Sequence, residues 1–308
     1  SNNTQTTYNI SPLVREYITF VTRQNPYNSV STANTSQQCN VVIKTYKHNG
    51  SYTLLDTLTY TAFDGYGYYT DGSNFDLGDY HLDFIDYNYY YAGASWDPST
   101  KQNERAGFIR SFVNIGDKVR YTDLVSGLQS TGTGSIAAGW REFYRVNPTY
   151  YANGNLLEIL DAGNNVLASW TFRPIEECKY TTLVIDFVNK YGAWQREWFF
   201  KASNESINVE SIEYNLMQAD LVDYDITEGQ RKAFNTNAKE SVKVNTGWVL
   251  ESWNDTLKQM MLSERILLDG KPVKMNTKST ELFKHINKNQ INYTLDFEYS
   301  YDAINSVV

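Results

Sequence analysis

CKYTTLVIDFVNKYGAWQREWFFKASNESINVESIEYNLM, residues 178–217, decides the reading of this chain. Two apolar-aromatic runs, residues 183–188 and 194–200, flank the turn sequence Asn189-Lys190-Tyr191-Gly192. That pattern predicts a hairpin whose strands pack and present large rings. The stretch holds no nucleophile–base pair, no glycine loop to cradle a phosphate and no cluster of metal ligands. It points to structure and assembly rather than chemistry.

The grammar continues outward from the hairpin. VVIKTYKHNGSYTLLDTLTYTA (41–62) predicts two strands joined at Asn49-Gly50, because an Asn-Gly pair tolerates the positive φ of a tight turn. Further short strands are expected near 10–22, 103–115, 140–146, 156–160 and 166–172, with 161–165 as a turn. Short strands separated by such turns suggest a sandwich or barrel. The stretch 123–138, rich in Ser, Gly and Thr, reads as flexible. After Arg173-Pro174 the composition changes, which sets a boundary: an N-terminal β domain over 1–172 and a C-terminal β domain over 173–308. In the second, 207–216, 239–244, 264–268, 271–276 and 291–301 read as strands, with Asp269-Gly270 as a tight turn. Only 247–263 has helical character: Val249, Leu250, Trp253, Leu257, Met260 and Met261 recur at three- and four-residue steps on one face. The expected fold is mainly β, with two sandwich- or barrel-like domains and one helix flanking the second.

Composition agrees. The 308 residues carry 25 Tyr, 14 Phe and 7 Trp, and aromatic rings favour half-buried strand surfaces. Net charge is −8, with no obvious basic face of the kind a duplex-DNA binder uses to neutralise phosphates. An acidic balance also suits a conduit along which DNA slides without sticking. Cys39 and Cys178 are too sparse for a disulfide scaffold and read as free buried thiols, compatible with folding in a reducing cytoplasm. No run approaches the roughly 20 apolar residues of a membrane span, and no signal segment is expected. Ser1 is compatible with removal of an initiator Met or with processing of a longer precursor.

Several constellations invite a functional reading. Asp71, Asn74, Asp76 and Asp79 concentrate oxygen ligands suited to Ca²⁺, but their spacing is not that of an EF-hand, and an ordinary turn accounts for them. Trp194, Trp198, Phe199 and Phe200, with Tyr66, Tyr68, Tyr69, Tyr89, Tyr90 and Tyr91, could stack on sugar rings. In a regular strand Trp194, Arg196 and Trp198 share one face, and two tryptophans with an arginine suit a subunit interface better than a sugar platform. Trp194, Arg196, Trp198, Phe199 and Phe200 are therefore the expected subunit contacts. His48, His81 and His285 have no partner at zinc spacing. The lysine-rich last seventy or so residues read as a solvated face, or as a contact with an acidic neighbour or passing DNA. No GxSxG, HExxH or Walker motif occurs, so no enzyme and no cofactor is expected.

Longer phrases carry a family likeness. AFDGYGYYTDGSN (62–74), ECKYTTLVIDFVNKYGAWQREWFFKAS (177–203), EYNLM (213–217), GQRKAFNTNAKESVKVNTGWV (229–249) and LSERILLDGKPVKMNTKSTELFKHINKNQINYTLDFEYSYDAIN (262–305) resemble virion structural proteins. These belong to tailed double-stranded DNA phages of Bacteroidetes, crAss-like phages among them. The resemblance implies a tail, baseplate or tail-ring component with no catalytic residues to carry over. It would be made in the host cytoplasm and built into the virion tail as a homo-oligomeric ring. Its partners would be other tail and portal-proximal proteins, with passive contact to genomic DNA and no membrane anchor. The resemblance also implies a tail-tube-like module, in which a flanking helix accompanies a sandwich and hairpins line a channel. Rival expectations are a glycan-binding module, marked by exposed aromatics on a shallow platform, and a glycan-cleaving enzyme, marked by two carboxylates across a cleft.

Overall fold

The structure is a computed structural model and describes residues 8–18, 38–63, 65–72, 89–91, 108–132, 139–175, 179–190, 192, 194–216, 222–227, 229–277 and 291–304. The fold is mainly β, with antiparallel sheets and, among the described residues, two α-helices. The chain divides into two compact units, the first formed by residues 1–178 and 187–197, the second by 179–186 and 198–308.

In the first unit, α1 is Ser11–Tyr17 and the strands are β1 Gln38–His48, β2 Tyr52–Phe63, β3 Tyr89–Tyr91, β4 Phe108–Val113, β5 Lys118–Asp123, β6 Gln129–Gly132, β7 Gly139–Tyr144, β8 Asn155–Leu160 and β9 Val166–Ile175. They form a five-stranded sheet in the order β3-β9-β8-β5-β6 and two separate antiparallel pairs, β1-β2 and β4-β7. Register explains the core. Val119 pairs with Ile159 and Tyr121 with Leu157, and Leu157 pairs in turn with Trp170, so one face of three strands is apolar and buried. At its end lie Asp123, Asn155 and Phe172, also mutually aligned. Buried Asn155 donates to the Arg145 carbonyl (3.1 Å) and accepts from the Asn147 amide (2.8 Å), which satisfies both ends of its amide.

The remaining elements are β10 Leu183–Val188, β11 Trp194–Phe199, β12 Asn204–Asn215, β13 Arg231–Val249, α2 Trp253–Leu262, β14 Ile266–Leu268, β15 Lys271–Met275 and β16 Ile291–Asp302. They form a seven-stranded sheet in the order β11-β10-β14-β15-β16-β13-β12. Within the second unit, Val242 pairs with Phe297 and Val244 with Leu295 at the centre of the core. Trp253, Leu257 and Met260 of α2 are buried, and the Trp253 ring stacks on Tyr293 at 6.1 Å.

Three expectations need correction. The stretch near residues 10–22 does not open as a strand: Ser11–Tyr17 is helical, because Pro12 sits in the first turn and the Asn9 side chain accepts from the Ser11 amide (3.1 Å). Residues 129–132, inside the stretch read as flexible, form β6; they are wholly exposed, and their pairing with β5 rather than any apolar pattern makes them a strand. The helix begins at Trp253, not near 247, since β13 runs on through Val249. A break in register between Asn245 and Trp248 carries Gly247 at φ +68°, and Thr246 Oγ1 accepts from the Tyr293 amide (2.9 Å), so tertiary pairing holds this segment extended.

Candidate assembly surface

β1 and β2 form a two-stranded ribbon with no third strand among the described residues. Their β-branched and aromatic residues explain the strands, and Asn49-Gly50-Ser51 closes them, with Gly50 at φ +94°. Side chains alternate between two faces. Val41, Ile43, Leu58 and Tyr60 share one, while Val42, Tyr46, Tyr52 and Leu54 lie on the other. Both faces are therefore apolar, and both are open: Tyr52 is 77% exposed and Leu55 63%. The Tyr52 ring meets Tyr46 edge-on at 6.5 Å and His48 at 4.7 Å. An isolated ribbon is marginal in water, so one that shows apolar side chains on both faces is a surface prepared for a neighbour.

β12 is the second such surface. It ends the seven-stranded sheet, and all twelve of its residues are exposed. Ile207, Val209, Ile212 and Tyr214 lie along it, and the Tyr214 ring meets Phe234 of β13 at 5.7 Å. The ladder to β13 shifts between Glu210 and Ile212, where Asn235 adopts φ +51°. Ser206 and Ser241 hydroxyls bond at 2.8 Å, and Lys239 pairs with Glu210 at 3.3 Å, both on the outside. Among the described residues no strand lies beyond β12, and a long exposed edge is a template for another strand.

The residues expected as subunit contacts lie elsewhere. Trp194, Arg196, Trp198, Phe199 and Phe200 are all buried within the single chain, as is every residue of β11. They are core and are not offered to a neighbour as they stand. Burial of Trp194 and Trp198 also removes them from any sugar-stacking platform. The reason lies in the polar residues between them. Arg145, fully buried, donates to the Arg196 carbonyl (2.7 Å), lies 3.5 Å from the Glu197 carboxylate and sits over the Phe172 ring. Gln195 donates to Glu197 (2.8 Å), and Asn189 donates to Gln195 (3.3 Å). The charged and polar residues of WQREWFF are thus linked to one another and to Arg145 inside the chain, which lets both faces of the strand be covered.

The loop expected to hold oxygen ligands is described only in part. Asp71 accepts from the Tyr68 amide (3.1 Å) in a short turn, as an ordinary turn residue does, while Asn74, Asp76 and Asp79 lie outside the described residues. Tyr66 and Tyr68 meet edge-on at 5.9 Å, Lys190 lies 5.0 Å above Tyr68, and the Tyr66 amide donates to the Lys190 carbonyl (2.8 Å). Among the described residues no three His, Cys, Asp or Glu side chains are placed to hold a metal. His81, His285, Cys178 and the lysines at 278, 284 and 288 lie outside them, as do the side chains of Tyr89, Tyr90 and Tyr91. Of the remaining basic residues, Lys274 pairs with Glu298 at 2.7 Å and, as the main cause, holds that carboxyl below its ordinary value. Lys271 lies over the Tyr299 ring. These lysines serve their own surface.

No helix among the described residues is long and apolar enough to cross a membrane. Comparison with protein-family models, curated proteins and solved structures gives no match. Alternation taken one strand at a time does not reveal the exposed β1-β2 ribbon. The signal lies in VVIKTY (41–46), which carries apolar residues at both parities, as a strand with one solvated face does not.

Proposed function

We propose that this protein is a non-enzymatic structural component of a tailed bacteriophage virion, forming part of a tail, baseplate or tail ring around the DNA exit path. The observation that carries the reading is the pair of exposed surfaces, the β1-β2 ribbon and the β12 edge, that show large apolar side chains on a chain that buries its core elsewhere. Such surfaces are a liability on a protein that works alone and are useful on one that works between neighbours. The phrase-level resemblance to virion proteins of Bacteroidetes phages supplies the setting.

In this reading the buried strands are the scaffold, and the β1-β2 ribbon and β12 are the joints. Contacts repeated around an axis close a ring when the rotation closes. A net charge of −8 suits a wall past which DNA moves without adhering. The test is particle composition. Purified virions of a phage that encodes this chain, probed by mass spectrometry and by antibody labelling in the electron microscope, should contain it in multiple copies at the tail. Absence from washed particles would overturn the assignment.

A further inference from the structure

The two exposed surfaces match each other. With β1 and β12 side by side in parallel, Val41 falls opposite Ile207, Ile43 opposite Val209, Tyr46 opposite Ile212 and His48 opposite Tyr214. In the same register Lys44 meets Glu210 and Lys47 meets Glu213. Alternation puts Val41, Ile43 and Lys47 on one face and Lys44, Tyr46 and His48 on the other, and β12 divides in the same way. Each face of the joined strands therefore has two rungs between ring-bearing or aliphatic side chains and one ionic rung. The irregularities coincide as well. The β1-β2 ladder shifts between Thr45 and Tyr46, the β12-β13 ladder shifts between Glu210 and Ile212, and this register sets Thr45 against Ser211.

We propose that β1 of one copy adds in parallel to the free edge of β12 of a second copy, so that successive subunits share a continuous sheet. The proposal deepens the assembly reading above by naming the partner and the register. Charge selects this pairing over its rivals. β1 carries Lys44 and Lys47 and no acidic residue, while β12 carries Glu205, Glu210 and Glu213 and no basic residue. Pairing β1 with β1, or β12 with β12, sets like charges on neighbouring strands, which is destabilising. Main-chain bonds along the edge supply affinity, and the alternating pockets supply register. Because the two strands are different surfaces, the contact is head-to-tail and propagates into a ring or a helix of subunits. The stretch from Val42 to His48 is exposed and ready to pair, whereas Cys39 and Val41 are half-buried at the start of the strand.

Two experiments on the full chain test it. Ile43→Cys and Val209→Cys are made separately in a Cys39→Ser, Cys178→Ser background. Neighbouring strands lie about 4.8 Å apart, within the span of about 4.4–6.8 Å between α-carbons that a disulfide bridges. Mixed under mild oxidation, the two variants should give a disulfide dimer containing one of each, and neither should do so alone. No mixed dimer, or an equally abundant Ile43→Cys homodimer, overturns the pairing. In the second experiment, Lys44→Glu with Lys47→Glu, and separately Glu210→Lys with Glu213→Lys, should each weaken self-association by about tenfold or more in light scattering. All four substitutions together should restore it. Unchanged association in the separate variants, or failure of the fourfold variant to recover, overturns the proposal. So does a wild-type chain that stays monomeric. None of these outcomes bears on whether the protein is found in virions, so the two readings fail separately.

Discussion

The β10-β11 hairpin and the β1-β2 ribbon are written in the same language and have opposite fates. Each pairs two runs of aromatic and β-branched residues across a short turn. In β11 all six residues are buried, down to Gln195, Arg196 and Glu197. In β1-β2, Val42, Tyr46, Tyr52, Leu54 and Tyr60 stand exposed. The difference teaches that a strand's own pattern sets its tendency to pack but not its partner. β10 is flanked by β11 and β14, and the buried Arg145 reaches β11; the ribbon has neither a third strand nor such a side chain among the described residues.

The comparison can be broken most forcefully at Arg145. Arg145→Ala should lower unfolding free energy by about 3–5 kcal/mol in urea titration, because it leaves the Glu197 carboxylate buried without its cation. Arg145→Met should lose much less, since an apolar side chain refills the volume. A loss under about 1 kcal/mol for the alanine variant would show that water reaches the site. Next comes Phe187→Ala in β10, fully buried, expected to cost about 3–5 kcal/mol by the same titration. Gly154→Ala should cost about 1–3 kcal/mol: the residue sits at φ +81°, and a new β-carbon would lie 2.4 Å from the Phe172 carbonyl oxygen, so calorimetry should show a lowered Tm.

An acid titration sharpens the contrast further. The Ser126 amide, then the Ser126 hydroxyl, Asn153 and the Val125 amide donate to Asp123 and hold its carboxyl at about 2, against an ordinary 3.8. A carboxyl depressed in the folded state stabilises fully above its ordinary value and loses that contribution as pH falls through the folded value. Stability should therefore decline between about pH 4 and pH 2, and Asp123→Asn should flatten that limb of the curve. The smallest effect belongs to the ribbon. Leu55→Ala should change the stability of the dilute monomer by no more than about 0.5 kcal/mol, because the side chain is already in water. A loss comparable to that of Phe187→Ala would show that the ribbon belongs to the core after all.

Much of the fold was legible. The strands from β8 to β11 and from β14 to β16 fall where alternation and turn residues place them, and Asp269-Gly270 turns with φ +45° and +79° as its sequence predicts. Where reading failed, long-range contacts had overruled local pattern. Gln129–Gly132 has no apolar residue and is a strand only because β5 pairs with it. Residues 247–249 have helical spacing and stay in β13 because β16 pairs with that strand. The site was less legible than the fold. The aromatic residues of WQREWFF have the pattern of a contact surface, yet the strand is buried and Arg145, 51 positions before Arg196, bonds to it.

What the residues alone determined is the β character of the chain, the place of its turns and the absence of familiar catalytic motifs, since these rest on φ preferences and on periodicities that neighbours in sequence already carry. Which apolar strands are core and which are left open to a partner was decided only by the tertiary structure. Burial is a property of topology: β11 and β12 are the two end strands of one sheet, and one is covered while the other is not. No local pattern encodes that difference, because covering a strand takes residues that lie far from it in the chain.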